Sequence, residues 1–213
     1  MLLGAPGSGK GTQAEMITRH FAIAVTSPGT ILRRERDLGT PLGIKADEIS
    51  KQGGLVPDEI IVYLIEDWLV LHGKDGFVFD GFPRTVKQGE RLNEILQKRQ
   101  TALDLAIWLE VSERTVRDRI AGRLQCRRCG FTTSLTSAGF AERPICPYCD
   151  GPLVRRHDDD ASVLETRLAE FKTKTEPLLS FYEKDDALHR IDGNRDRETV
   201  FADVSALIEE RMR

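Results

Sequence analysis

Gly4-Ala5-Pro6-Gly7-Ser8-Gly9-Lys10 fits G-x-x-x-x-G-K, a pattern in which backbone N–H groups converge on a phosphate. The glycines leave room for that convergence, because side chains would stand between backbone and anion. A helix beginning near Lys10 aims the positive end of its dipole at the same spot, and the lysine adds a full charge. A plain glycine-rich turn between strand and helix is the competing reading. The general pattern places Ser or Thr directly behind the lysine; here Gly11 intervenes before Thr12.

A second group has metal-ligand spacing. Cys126-x2-Cys129 and Cys146-x2-Cys149 stand with sixteen residues between the pairs, the pattern of two zinc knuckles. Disulfides and an iron–sulfur centre are the alternatives. Four thiolates fill a tetrahedral ion and leave no position for a substrate water, so such a zinc is structural. It replaces the apolar core that a segment this short cannot build. His20, His72, His157 and His189 are scattered and read as surface or packing residues.

These residues need a frame to hold them. Strand-like runs occur at Ile23–Val25, Phe77–Asp80, Leu105–Val111 and Leu188–Asp192. Pro57-Asp58-Glu59 starts a helix, with proline in the first turn and acids at the positive dipole end. Its apolar face, Ile60, Leu64, Ile65, Trp68 and Leu69, recurs at helical spacing. Further helices are expected over Thr85–Arg99, Ser112–Leu124, Ala161–Phe171 and Glu198–Met212. Strands alternating with helices predict an α/β fold with a covered parallel sheet. From Gln125 to Pro152 the rhythm breaks into cysteines, prolines and turn residues, which reads as an inserted lid.

Length and composition fit this frame. The 213 residues suit one domain with insertions, 40% apolar and 31% charged. A net charge of −3 argues against a dedicated nucleic-acid binder. No apolar run approaches ~20 residues, so no spanning helix is expected. The start does not read as a signal peptide, and a cytoplasmic location with reduced thiols is expected.

The spacing GxPGxGKGTQ resembles the nucleoside monophosphate kinases, above all the adenylate kinase family. The resemblance covers nearly the whole chain. Asp80-Gly81-Phe82-Pro83-Arg84-Thr85, with Gln88 behind it, is similar to the family's DGFPRT stretch. Asp118-Arg119-Ile120-Ala121-Gly122-Arg123 is similar to its DRIxGR helix. Arg156-His157-Asp158-Asp159, followed by Arg167, is similar to its RxDD…R stretch.

The resemblance implies a P-loop fold with five parallel strands and two inserts. Residues 1–26, 57–123 and 157–213 would form the core, 27–56 the monophosphate-binding insertion, and 124–156 the lid. The four cysteines then match the zinc-bearing lids of some bacterial members. The implied reaction is ATP + AMP ⇌ 2 ADP with Mg²⁺, in a monomer, without nucleic acid or membrane. ATP would meet Gly7, Ser8, Gly9, Lys10, Gly11 and Thr12, with Arg119 against the adenine and Arg123, Thr132, Thr133 and Arg195 nearby. Arg119 and Arg123, spaced i,i+4, are expected on one helix face. AMP would meet Pro28, Arg33, Gly54, Leu55, Val56, Gly81, Phe82, Pro83, Arg84 and Gln88, with Arg156 and Arg167 around the transferring group. Asp80 would reach Mg²⁺ through water. Lys10, Arg84, Arg123, Arg156 and Arg167 would carry catalysis, while Asp158 and Asp159 pair with arginines.

Some residues depart from the family pattern. The monophosphate-site signature S-T-G-D/E-x-L-R reads Ser27-Pro28-Gly29-Thr30-Ile31-Leu32-Arg33 here. A hydroxyl donor has become proline and an acid threonine. The lid is shorter than usual between its knuckles and lacks the usual aromatic and histidine contacts. Only three residues precede Gly4, so a stunted first strand is expected, as a trimmed start would leave. A kinase of another monophosphate, one using GTP, and a low-turnover nucleotide binder whose knuckle meets RNA or a partner are the rival readings.

Overall fold

The computed structural model describes residues 1–51, 54–73, 76–135, 143–185 and 187–213, without the side chains of residues 157 and 185. The surface-or-packing reading of His157 therefore lies outside the described residues. Strand β1 (Leu2–Gly4) runs through the glycine loop into α1 (Lys10–Phe21) and β2 (Ala24–Thr26). Two helices, α2 (Pro28–Asp37) and α3 (Pro41–Lys51), follow, and then α4 (Asp58–His72), β3 (Phe77–Phe79), α5 (Val86–Lys98) and β4 (Ala106–Glu110). Helix α6 (Glu113–Ala121) leads into β5 (Arg123–Cys126), β6 (Thr132–Ser134) and β7 (Leu153–Val154). The chain closes with α7 (Ala161–Glu170), α8 (Leu178–Tyr182), β8 (Leu188–Asp192) and α9 (Arg197–Arg211).

Leu2–Leu3, Phe77–Phe79 and Ala106–Leu109 are apolar without alternation because helices cover both faces of these strands. Leu3, Phe79, Ala106 and Trp108 pack toward α4, α5 and α8. Their alternates Leu2, Val78, Ile107 and Leu109 pack toward Ile17 of α1 and Val200, Val204 and Ile208 of α9. Strand β4 pairs in parallel with β1 and β8, while β2 pairs in parallel with β3. The five expected parallel strands are all present, but the continuous five-stranded sheet is not: the ladders are one of three strands and one of two. They meet at one parallel bridge, Leu2 to Asp80, where the Gly81 N–H donates to the Leu2 carbonyl at 2.9 Å. The cause is length. Strand β1 has three residues before the chain turns into the glycine loop.

Local signals explain most boundaries. Thr85 caps α5 by accepting from the Gln88 N–H, and Ser27 caps α2 by accepting from the Thr30 N–H. Pro28 sits in the first turn of α2, where its missing N–H has no helical partner to lose. Helices α2 and α3 cross closely at Gly43: a methyl group there would lie 2.2 Å from the Arg36 nitrogen.

Helix α6 ends earlier than its sequence suggests, at Ala121 rather than Leu124. Gly122 caps it, and Arg123 and Leu124 join β5, which pairs antiparallel with β6 and β7. Arg119 and Arg123 therefore do not share a helix face. Beyond Glu170 the chain continues through a wide π-helical stretch, Phe171–Thr175, toward α8. Among the described residues, no helix is long and apolar enough to cross a membrane.

Candidate active site

The glycine loop, the loop after β3, the α2–α3 insert and the β5–β6 hairpin surround one cleft of about 2020 Å³. A single small ligand fills roughly 300–1,000 Å³, so this cleft has room for two. In the loop itself Gly7 has φ +77°, and a methyl group there would meet Ile120 Cγ1 at 2.9 Å. Glycine is thus required both by the backbone turn and by its close approach to α6.

Lys10 Nζ turns back on its own loop, donating to the Gly4 and Ala5 carbonyls at 2.8 Å each and to Ser8 Oγ at 3.3 Å. Loss of hydration lowers its pKa from 10.5 to about 7; Asp80 opposes the shift, and Arg84, Arg167 and Arg123 add to it. An anion entering the loop would restore the proton's hold. Asp80 Oδ2 lies 3.4 Å from where a methyl group on Gly11 would stand. That glycine keeps the carboxylate open to the cleft beside Thr12, an arrangement that fits a water-coordinated magnesium ion.

The cations around the loop hold their places by bonds within the chain. Arg84 is fixed on both sides of its peptide: its N–H donates to Gln88 Oε1 at 2.7 Å, and its carbonyl accepts from Thr175 Oγ1 at 2.8 Å. Its Nε donates to the Gly81 carbonyl at 3.0 Å. Burial, with Arg156 nearby, lowers the Arg84 pKa. Arg33 and Arg167 are each pulled down to about 10, by burial first and by neighbouring arginines after it. Arg156 moves the other way, because its pair with Asp158 outweighs its burial. Arg123 forks onto Asp159, its Nε 2.7 Å from Oδ2 and its Nη2 bonded to Oδ1. Asp158 and Asp159 thus pair with arginines, as expected.

Arg119 stands apart from this ring. Its guanidinium donates to the Ser8 carbonyl at 3.3 Å and the Gly193 carbonyl at 2.8 Å, which ties the glycine loop to the turn after β8. Arg195, Thr132 and Thr133 also line the cleft. So do Pro28, Gly54, Leu55, Val56, Gly81, Pro83 and Gln88. Phe82 does not. Its side chain is fully buried, edge-on to Phe79 at 5.4 Å, so it belongs to the core. From the sequence alone Asp58 reads only as a helix-start acid. It accepts from Thr85 Oγ1 at 2.8 Å and from Gln88 Nε2 at 2.7 Å, a link across 27 and 30 residues that no local pattern signals.

The cysteines meet in the lid. All four sulfurs lie within 4.8 Å of one another, with Cys126–Cys149 and Cys129–Cys146 at 3.4 Å. A disulfide would need about 2.05 Å, and the cysteines are free. Sulfurs around one tetrahedral zinc at ~2.3 Å stand about 3.8 Å apart, so the donor set fits that ion. Leu124, Leu153, Phe131 and Leu135 supply the small apolar cluster beside it.

A phosphate loop on a parallel sheet, facing a ring of arginines over a two-ligand cleft, defines a phosphoryl-transfer protein of the P-loop class. Comparison narrows this. Residues 2–187 match the family model described as adenylate kinase. The chain is 40% identical over 212 residues to an adenylate kinase of Geobacillus sp. (strain WCH70), covering 98% of this chain and 97% of the relative. It is 41% identical over 209 residues to that of Pseudothermotoga lettingae, with 98% and 96% covered. The adenylate kinase of Archaeoglobus fulgidus is 38% identical over 210 residues, with 98% and 97% covered. The chain belongs to the adenylate kinase family, with a lid cysteine cluster consistent with the long, zinc-bearing form.

Proposed function

We infer that the chain transfers the terminal phosphoryl group of ATP to AMP, giving two ADP, and runs the reverse reaction on the same site. The observation that carries this reading is the convergence of Lys10, Arg33, Arg84, Arg123, Arg156 and Arg167 on one cleft with room for two nucleotides.

The backbone of Gly7, Ser8, Gly9, Gly11 and Thr12 cradles the ATP phosphates, with Lys10 turning from its own carbonyls toward them. Arg119 and Arg195 flank the adenine, and Thr132 and Thr133 approach from the lid. Arg33 and Arg84 grip the AMP phosphate in bidentate fashion. Gly54, Leu55, Val56, Gly81, Pro83 and Gln88 shape the space for its nucleoside. Arg123, Arg156 and Arg167 offset the charge that spreads over the group in flight. Phosphoryl transfer depends mainly on such positioning and neutralisation. An acceptor phosphate that is already ionised needs no general base, which leaves Asp158 and Asp159 free to hold arginines. Magnesium, held through water by Asp80, would supply further charge neutralisation at the phosphates. Residues 27–56 and 124–156 act as the two closing parts on the remaining core, whose ladders work as one five-stranded base. Zinc on Cys126, Cys129, Cys146 and Cys149 is structural.

A coupled assay with ATP against AMP, GMP, CMP and UMP tests the reading. AMP is expected to be the best acceptor, and Arg84→Ala to raise the KM for AMP far more than that for ATP. A wild-type preference for another acceptor would overturn it.

A further inference from the structure

Gln88 is 2% exposed, yet it lines the cleft. Its Oε1 accepts from the Arg84 N–H at 2.7 Å, and its Nε2 donates to Asp58 Oδ1 at 2.7 Å. The other oxygen of that carboxylate accepts from the Thr85 hydroxyl at 2.8 Å. Thr85 Oγ1 in turn accepts from the Gln88 N–H at 3.1 Å, closing the loop. A backbone N–H can only donate and a carboxylate can only accept, so both neighbours force the same amide orientation. Of the two, the charged acceptor makes the stronger bond. One N–H and one oxygen lone pair of the amide are spent here. One of each remains, in fixed order, for a ligand.

We propose that Asp58 is a positioning residue that fixes the polarity of the Gln88 amide and so makes the acceptor site select a 6-amino purine over a 6-oxo purine. This rests on AMP as acceptor and on Gln88 in its site. Adenine presents a ring-nitrogen acceptor beside an amino donor. Hypoxanthine, nearly the same in size, presents a protonated ring nitrogen beside a carbonyl. The fixed amide complements the first and meets the second donor to donor and acceptor to acceptor. An amide free to turn over would accept both.

The test compares AMP and inosine monophosphate as acceptors for the full chain, with ATP as donor. Wild type should favour AMP. Asp58→Asn, which keeps the shape but can present a donor, should lower the AMP-to-IMP ratio of kcat/KM by about tenfold. The change should sit in the acceptor KM, with kcat on AMP and the KM for ATP within about twofold of wild type. In a Gln88→Met background, which has no amide to orient, Asp58→Asn should shift the ratio no further. The ratio is taken within one preparation, so partial unfolding cancels. If the Asn variant does not fold, Thr85→Val decides: it leaves the carboxylate one fixed partner and should move the ratio the same way by a smaller factor. An unchanged ratio, with wild type active on AMP, overturns the inference alone. No phosphorylation of AMP by wild type overturns the adenylate kinase reading with it.

Discussion

Arg156 and Asp158, two positions apart, face each other in a two-point ion pair, Nε to Oδ1 at 2.9 Å and Nη2 to Oδ2 at 2.7 Å. Arg167 reaches the same carboxylate at 3.1 Å, and Arg123 forks onto the adjacent Asp159. Three cations suited to phosphate are thus held in place by two acids. Without them, partly buried arginines this close would repel one another and lose their common aim.

Asp158→Asn should therefore destabilise the fold. Its arginine partners outweigh its burial and hold the Asp158 pKa well below the usual carboxylate range. A depressed carboxylate stabilises fully above its unfolded pKa of about 3.9 and loses that contribution as pH falls through the folded value. Removing one partner of a largely buried pair costs about 3 kcal/mol, or about 6–12 °C of Tm for a chain of this size. The Tm gap between variant and wild type should be constant from pH 5 to 8 and shrink in stronger acid. A gap that instead widens on acidification would contradict the pairing.

Lys10 carries a pH dependence of the same sign in a higher window. With its pKa lowered from 10.5 to about 7, the folded chain has lost a proton that the unfolded chain still holds between those values. Stability of the free protein therefore rises with pH across that window. ATP phosphates restore the charged form, so binding at pH 8.5 should take up a proton, toward one per site. Titration calorimetry in two buffers of different ionisation enthalpy reads this directly. Lys10→Met should abolish the uptake while leaving the melting curve cooperative. Equal apparent enthalpies in both buffers for wild type would contradict the lysine's role.

The phosphate loop, the Asp80–Arg84 turn and the cysteine knuckles were legible because each is a contiguous run with its own chemistry. The helix expected over Thr85–Arg99 is α5, shorter by one residue at each end because Thr85 and Arg99 cap it. What failed to read was non-local. Arg123 continues a helical pattern in sequence but is drawn into β5 by pairing with Thr132–Ser134, which no window around it contains. Asp58 reads as a dipole acid until α5 brings Gln88 against it. Phe82 lies inside a site motif, yet Phe79 and the core claim its ring.

The lid should depend on its metal. Elemental analysis is expected to give about one zinc per chain, since four thiolates make one tetrahedral site. Chelation or Cys146→Ala should cost a few kcal/mol, felt in the lid before the core, because Leu124, Leu153 and their few neighbours are too small a cluster to stand alone. Four freely alkylated thiols in a native, metal-free protein would refute this.

Pro28 offers a gain rather than a loss. It lines the cleft in the first turn of α2, beside Ser27, whose Oγ lies 2.8 Å from Thr30 Oγ1. Thr30 also accepts from Arg33 Nη2 at 3.1 Å, so the threonine standing where the family has an acid still steadies that arginine. Pro28→Thr would add one neutral hydrogen bond to AMP, about 0.5–1.5 kcal/mol or roughly 2- to 13-fold. Losing the proline's stiffness offsets about 0.4–1 kcal/mol of that. The KM for AMP should fall several-fold and that for ATP should stay. Equal movement of both would remove Pro28 from the acceptor site.

If one ring of cations serves two nucleotides at once, the stoichiometry of the reaction shows it. Purified protein with ATP and Mg²⁺, followed by phosphorus NMR with and without AMP, gives the answer. Two ADP are expected for each ATP consumed, with strict dependence on AMP, no inorganic phosphate, and loss of nearly all turnover in Lys10→Ala. Release of inorganic phosphate with one ADP per ATP, at a rate that AMP does not change, would contradict it.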